Sequence, residues 1–175
     1  MRPFLILISL LLGLFNQAAL AEKADRDKPI EIEADTVTSN DAKKTSIYSG
    51  NVLLTQGTLR IKGDKLVVRE DSAGFQHGTS YGNPTTFRQK REGKDEYIEG
   101  SGQRIEYDGR MDKVQLFTKA WVKRGNDIVH GDYIMYDANA EYSEVIGGGP
   151  KAATPATPGG RVKAIIQPKN QPDSK

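Results

Sequence analysis

The residues best suited to chemistry in this 175-residue chain are three aspartates that share one setting. Asp35, Asp64 and Asp132 each follow a small residue in the pattern apolar-x-small-Asp-x-apolar. The copies are Ile32-Glu-Ala34-Asp35-Thr-Val37, Ile61-Lys-Gly63-Asp64-Lys-Leu66 and Val129-His-Gly131-Asp132-Tyr-Ile134. Paired carboxylates could serve acid–base chemistry on a glycan, or hold calcium. The setting favours a backbone role instead, because Asp readily accepts N–H bonds in turns and bulges. His77 and His130 are the only histidines, and their separation does not suggest a metal pair. No EF-hand, HExxH, G-x-S-x-G or G-x-x-x-x-G-K-[ST] pattern is present, so P-loop nucleotide hydrolysis is excluded and no cofactor is implied. Basic residues gather at Arg60, Lys62 and Lys65, and again at Arg88, Lys90 and Arg91. They read as a solvated face guarding strand edges, with an anion site as the alternative.

The elements that carry these residues are strands. Val52 and Leu54 alternate before Gln56-Gly57, and Leu59 and Ile61 alternate after it, which predicts a hairpin around a glycine turn. The parity then slips. Leu59 and Ile61 are odd, whereas Leu66 and Val68 are even, so a register step must be absorbed at Gly63-Asp64 by a bulge or corner.

The pattern recurs without a gap at an offset of 68. Ile30-Glu31 maps to Ile98-Glu99, Gly57 to Gly125, Gly63-Asp64 to Gly131-Asp132 and Leu66 to Ile134. A degraded fourth copy of the aspartate pattern ends Gly102-Gln103-Arg104-Ile105, with Gln in place of Asp. Units that cannot bury a face alone must stack. The expected fold is therefore all-β: one elongated, repeat-built antiparallel sheet, with a dozen or more short strands and no substantial helix.

By parity the apolar face comprises Ile30, Ile32, Val52, Leu54, Leu59, Ile61, Leu66, Val68, Phe87, Ile105, Leu116 and Val122. Phe117 and Trp121 fall on the opposite face. The structural positions of the repeat are Asp35, Gly57, Gly63, Asp64, Gly125, Gly131 and Asp132.

The ends read differently. Residues 1–21 have a basic start, an apolar run and an Ala19-Leu20-Ala21 cleavage pattern, as in an export signal. Residues 22–28 form a charged leader, and 29–146 the β domain. Residues 147–160 are a Gly/Pro-rich linker, 161–167 a possible terminal strand and 168–175 a polar tail. The chain has no cysteine and a formal charge of +2, which argues against nucleic acid as a partner. An edge strand is expected at Ile30–Ala34. The opposite edge falls to Tyr133–Tyr136 or to Arg161–Gln167.

These stretches resemble the LptA/OstA family of periplasmic lipopolysaccharide-transport proteins. The resemblance rests on Pro29-Ile-Glu-Ile-Glu-Ala-Asp35, on Tyr48-Ser-Gly50-Asn51-Val52 through Gln56-Gly57 to Gly63-Asp64, on Gly82-Asn83-Pro84-Thr-Thr-Phe87-Arg-Gln, and on Ile105-Glu-Tyr107-Asp. It spans roughly Pro29 to Tyr136 and, more weakly, Arg161 to Pro168.

The resemblance implies a folded-over sheet, a β-jelly roll or β-taco open along one side, whose apolar interior takes the acyl chains of lipid A. It implies a periplasmic, non-enzymatic carrier and bridge that moves lipopolysaccharide from the inner to the outer membrane. It also implies head-to-tail self-association, an inner-membrane transport complex at the N-terminal edge and an outer-membrane translocon at the C-terminal edge. The alternatives are a structural β-repeat protein of the cell envelope without a lipid ligand, and a glycan-active enzyme using Asp64 and Asp132.

Overall fold

A computed structural model describes residues 25, 28–72, 76–91, 93–109, 111, 113–137, 140, 142–148 and 160–168. The export signal, most of the charged leader and of the linker, and the end of the tail lie outside the described residues.

The described strands are β1 (Glu31–Glu33), β2 (Thr36–Asn40), β3 (Thr45–Gln56), β4 (Leu59–Glu70), β5 (Gln76–Lys90), β6 (Tyr97–Asp108), β7 (Lys113–Arg124), β8 (Asp127–Asp137), β9 (Tyr142–Ile146) and β10 (Lys163–Ile165), with one 3-10 turn at Asp41–Lys43. The sheet order is β1-β3-β4-β5-β6-β7-β8-β10, with β2 also on β3 and β9 also on β8. Every pairing is antiparallel. Among the described residues, no helix is long and apolar enough to cross a membrane.

The central strands are longer than the sequence pattern suggests: β3 to β8 run 11 to 15 residues each. The parity slips do not end strands. They line up from strand to strand into one crease across the sheet. On β3, Gly50 and Asn51 face the single residue Asp64 of β4. On β5, residues 82–84 face Gln103 of β6. On β7, Thr118 and Lys119 face Asp132 of β8. An excess of one or two residues on one strand of a pair is a bulge, and bulges bend a sheet.

The 68-residue repeat reappears in this backbone. Gly50 and Asn51 have φ of 82° and 46°, and their repeat mates Thr118 and Lys119 have φ of 66° and 53°. A β-branched residue at positive φ is a steric outlier, so Thr118 shows that the crease overrides local preference.

The crease divides the sheet into two leaves. The first contains β1, the second half of β3, the first half of β4, the second half of β5, and so on to β10. The second contains β2, the first half of β3, the second half of β4, and on to β9. Both leaves turn their apolar sides inward. One buried cluster joins Val52, Leu54, Leu59 and Ile61 of the first leaf to Leu66, Ile105, Leu116 and Ile134 of the second.

β1 and β10 end the sheet, as expected of Ile30–Ala34 and Arg161–Gln167, and each edge carries a second short strand as well. β2 pairs along Thr45 to Ser49 and so covers the start of β3. Tyr133–Tyr136 is not an edge, because β9 pairs along Tyr133 to Asp137. The terminal strand β10 pairs with Ile128 to His130. Each edge is thus made of two short strands meeting at the crease.

Candidate functional site

The candidate site is the apolar cleft between the leaves. All twelve residues placed on the apolar face by parity lie on it. Val52, Leu54, Leu59, Ile61, Leu66, Phe87, Ile105 and Leu116 are buried, and Ile30, Ile32, Val68 and Val122 are partly buried against them. The pairings explain this. Cross-strand partners share a face, and Ile32 opposes Leu54, which opposes Ile61, which opposes Phe87. Beyond the crease, Leu66 opposes Ser80, which opposes Ile105, which opposes Leu116.

Other lining residues escaped the sequence pattern. Tyr48, Ile98, Tyr107, Ile134, Tyr136 and Val145 also belong to the cluster. Tyr107 and Tyr136 stand at its margin, where an aromatic body can pack while its hydroxyl reaches a partner. The signal for Ile134 was present as the repeat mate of Leu66. Tyr107 was signalled by the same period of two, two residues beyond Ile105.

The cleft is not uniform. Its middle is filled by the protein's own side chains: Leu59, Leu66 and Ile105 are 1% exposed and Leu116 is 0% exposed. Its two ends are open. A cavity of about 530 Å³ at the β1/β2 end is lined by Ile30, Ile32, Tyr48 and Val68, with Lys44 and Glu70 at its lip. Those two form an ion pair of 3.4 Å. A cavity of about 340 Å³ at the β9/β10 end is lined by Ile98, Val122, Val129, Ile134, Tyr136 and Val145, with Arg91, Arg124 and Asp127 around it. Both cavities draw residues from both leaves, so each is a mouth of the same cleft.

Opposite the crease, the leaves are tied by polar contacts. The Tyr107 hydroxyl donates to Gln56 Oε1 at 3.4 Å, joining the second leaf to the first. Gln56 Nε2 donates in turn to the Lys28 carbonyl at 3.2 Å. The Asp25 carboxylate accepts from the Thr58 backbone N–H and hydroxyl, so the chain before β1 is fastened over the β3–β4 turn. At the crease, Ser80 and Thr85 hydrogen-bond to each other at 2.7 Å, and Thr85 donates to the Lys62 carbonyl. That keeps the polar atoms of the bend satisfied inside an apolar lining.

The aspartates do not form a reactive pair. Asp64 and Asp132 sit on β4 and β8, four strand spacings apart along the crease, or about 19 Å at the usual spacing. Paired glycosidase carboxylates need separations of about 5–9.5 Å. Their roles also differ. Asp35 accepts from Asn51 Nδ2 at 2.9 Å and donates its own N–H to the Gly50 carbonyl, bracing the first bulge. Asp64 is exposed, contrary to a buried bracing role, whereas Asp132 is 4% exposed. Gly63 and Gly131 are needed at the bend for space: a Cβ on Gly63 would stand 2.5 Å from Ser80 Oγ, and one on Gly131 2.7 Å from Val145 Cγ1. His77 and His130 lie on different strands and different leaves.

The outer face is not simply polar. Phe117 packs against Tyr133 with ring centroids 5.2 Å apart, and the Arg104 guanidinium lies 3.9 Å above the Phe117 ring.

Comparison with known proteins places this architecture. A family model described as "LptA/(LptD N-terminal domain) LPS transport protein" matches residues 31–142. The chain is 27% identical over 168 residues to the lipopolysaccharide export system protein LptH of Pseudomonas aeruginosa, covering 95% of this chain and 94% of that one. It is 34% identical over 121 residues to the lipopolysaccharide export system protein LptA of Escherichia coli K12, covering 67% of this chain and 64% of that one. The crystal structure of LptH, described as the LptA-homologous periplasmic component of the lipopolysaccharide transport device of P. aeruginosa, superposes with a TM-score of 0.74 over 83% of this chain and 99% of that chain.

Proposed function

We propose that this chain, which belongs to the LptA/LptD N-terminal domain family of lipopolysaccharide transport proteins, holds lipopolysaccharide acyl chains between its two leaves and bridges the periplasm. The observation that carries this reading is the apolar cleft with a mouth at each end of the folded sheet. An acyl chain gains about 0.8 kcal/mol per buried CH₂, so an interior that buried a whole chain would bind too tightly to release it. The filled middle limits that burial. Acyl chains enter the two mouths, and passage along the whole cleft requires the leaves to part against the Tyr107–Gln56 contact.

The role is binding and transport rather than catalysis. No step here calls for bond making, and the separated aspartates offer no acid–base pair. Localisation in the periplasm is supported by the Ala19-Leu20-Ala21 cleavage pattern and by the periplasmic description of LptH.

The two edges supply the bridging geometry. The β1/β2 edge and the β9/β10 edge are different surfaces, so joining one to the other is a heterologous contact that propagates into a line unless it closes. Strand addition would set the mouths of successive subunits end to end. The family resemblance implies that the inner-membrane complex meets the N-terminal edge and the outer-membrane translocon the C-terminal one.

The test is a photocrosslinking scan with lipopolysaccharide. Crosslinkers at Ile32, Val68 and Val122 are expected to capture lipid, and those at the outward positions Glu31 and Glu33 are not. Equal capture at Glu31 and Ile32 would sink the assignment of the inner face. A protein that takes up no lipid at any position would instead be a structural β-repeat.

A further inference from the structure

The outer face of the first leaf carries a second concavity that has no part in the cleft. It is a hollow of about 320 Å³ bounded by Arg60, Lys62 and Arg88 on one side and Trp121 on the other, with Thr86 in its floor and Glu99 at its edge. Side chains alternate across a sheet, so these residues point away from the acyl-lined side.

The charges here are arranged against their own interest. Arg60 and Arg88 are direct cross-strand partners, and Lys62 is the next outward residue along β4. Like charges placed opposite each other destabilise a sheet. One carboxylate answers them: Glu99 pairs with Arg88 at 3.1 Å. The Arg88 guanidinium also lies 3.7 Å above the Tyr97 ring, so it is fixed in place. Arg60 and Lys62 are exposed, and among the described residues their side chains have no ion-pair or hydrogen-bond partner. The floor is kept low by small residues, because Lys62 opposes Thr86, Thr86 opposes Ser101 and Ser101 opposes Trp121. The half-buried Trp121 borders the hollow across this floor from Lys62.

We propose that this hollow binds a phosphorylated saccharide. Arg60 and Arg88, direct cross-strand partners lining the same hollow, carry the planar forks that suit phosphate oxygens, and an anion bound there relieves their repulsion. The indole offers a flat apolar face for the C–H side of a sugar ring. The volume lies at the small end of ligand pockets, enough for one ring and its phosphate and too short for an extended acidic peptide. The hollow and the cleft lie on opposite faces of the sheet, so an acyl chain held in the cleft does not occupy the hollow. The proposal therefore stands apart from the transport reading.

Trp121 is the only tryptophan of the chain, so fluorescence excited selectively at tryptophan rather than tyrosine reports on this hollow. Titration of the full chain with glucose 1-phosphate is expected to give a saturable change in emission, with glucose and inorganic phosphate each binding at least about tenfold more weakly, the loss of one charge-assisted contact set. Arg60→Ala is expected to weaken binding by about tenfold, while uptake of an apolar dye by the cleft stays unchanged. Unchanged emission up to millimolar sugar phosphate overturns the proposal. So does an equal response to inorganic phosphate or to a polyglutamate peptide, and so does an Arg60→Ala variant that binds as the parent does. Urea denaturation of the same variant verifies that it is folded.

Discussion

At the scale of single residues, one motif serves three different ends. Asp35 braces a bulge through Asn51. Asp64 occupies the corresponding position one copy later but faces solvent, and Asp132 occupies it again but is buried. Exposed substitutions away from special features usually change stability by no more than about 0.5 kcal/mol, whereas stranding buried donors costs about 1–3 kcal/mol. Asp64→Ala is therefore expected to leave the urea midpoint nearly unmoved, and Asp132→Ala to lower it clearly. The reverse order would show that Asp64 is held by contacts absent from this structure. Tyr133 provides a pH handle. Its phenol donates to Gln115 at 2.9 Å. Burial, then the nearby charges of Glu144 and Glu106, raise its pKa above the ordinary 10.0. The folded state thus keeps this proton more tightly than the unfolded chain. That contribution is intact below about pH 10 and is lost as pH rises through the folded value. Stability measured against pH should fall in that alkaline window, and Tyr133→Phe should flatten the fall.

At the scale of elements, two hairpin turns related by the repeat form a natural pair. Gly57 and Gly125 both open two-residue turns at positive φ, 57° and 58°. A Cβ there costs about 1–2 kcal/mol from the left-handed conformation alone. Around Gly125 nothing lies within 4 Å of an added Cβ, whereas at Gly57 that atom would run into the Asp25 carboxylate. Gly125→Ala is expected to lose about 1 kcal/mol. Gly57→Ala should lose that and also release the segment before β1, seen as faster proteolysis near Asp25. If both substitutions cost the same and neither exposes the segment, the clasp over the β3–β4 turn contributes nothing.

At the scale of the molecule, the question is what ends the sheet. β1 and β10 are three residues each, and β10 is exposed at every position. Short edge strands are a common defence against uncontrolled pairing. β10 occupies the β8 edge along Ile128 to His130, with Gln167 N–H donating to Asp127 at 2.9 Å. Removing residues 161–175 bares an apolar stretch of β8. Light scattering is expected to show more concentration-dependent association for that deletion. Ile32→Pro removes a donor from the opposite end of the sheet and is expected to show less. Identical size distributions for both variants and the parent would exclude assembly through these edges.

Much of this protein is written in its sequence because the period of two and the 68-residue offset are local or self-referential signals. Leu59 and Leu66 could be placed on one face across a parity slip without knowing their neighbours, and both are buried in the same cluster. The glycines at 57 and 125 announced turns for the same reason. What the tertiary structure alone decided concerns relations between strands. A slip in one strand reads as a bulge or corner, and only its alignment with slips in five others makes it a crease through long continuous strands. Whether an aspartate of the motif is bare or buried depends on which strand lies beside it. That the middle of the cleft is filled while its mouths stay open depends on how closely the leaves approach. So does the contact between Tyr107 and Gln56, residues 51 apart in sequence. The terminal segment 163–165 has strand composition on inspection, but only the free edge of β8 gave it a partner.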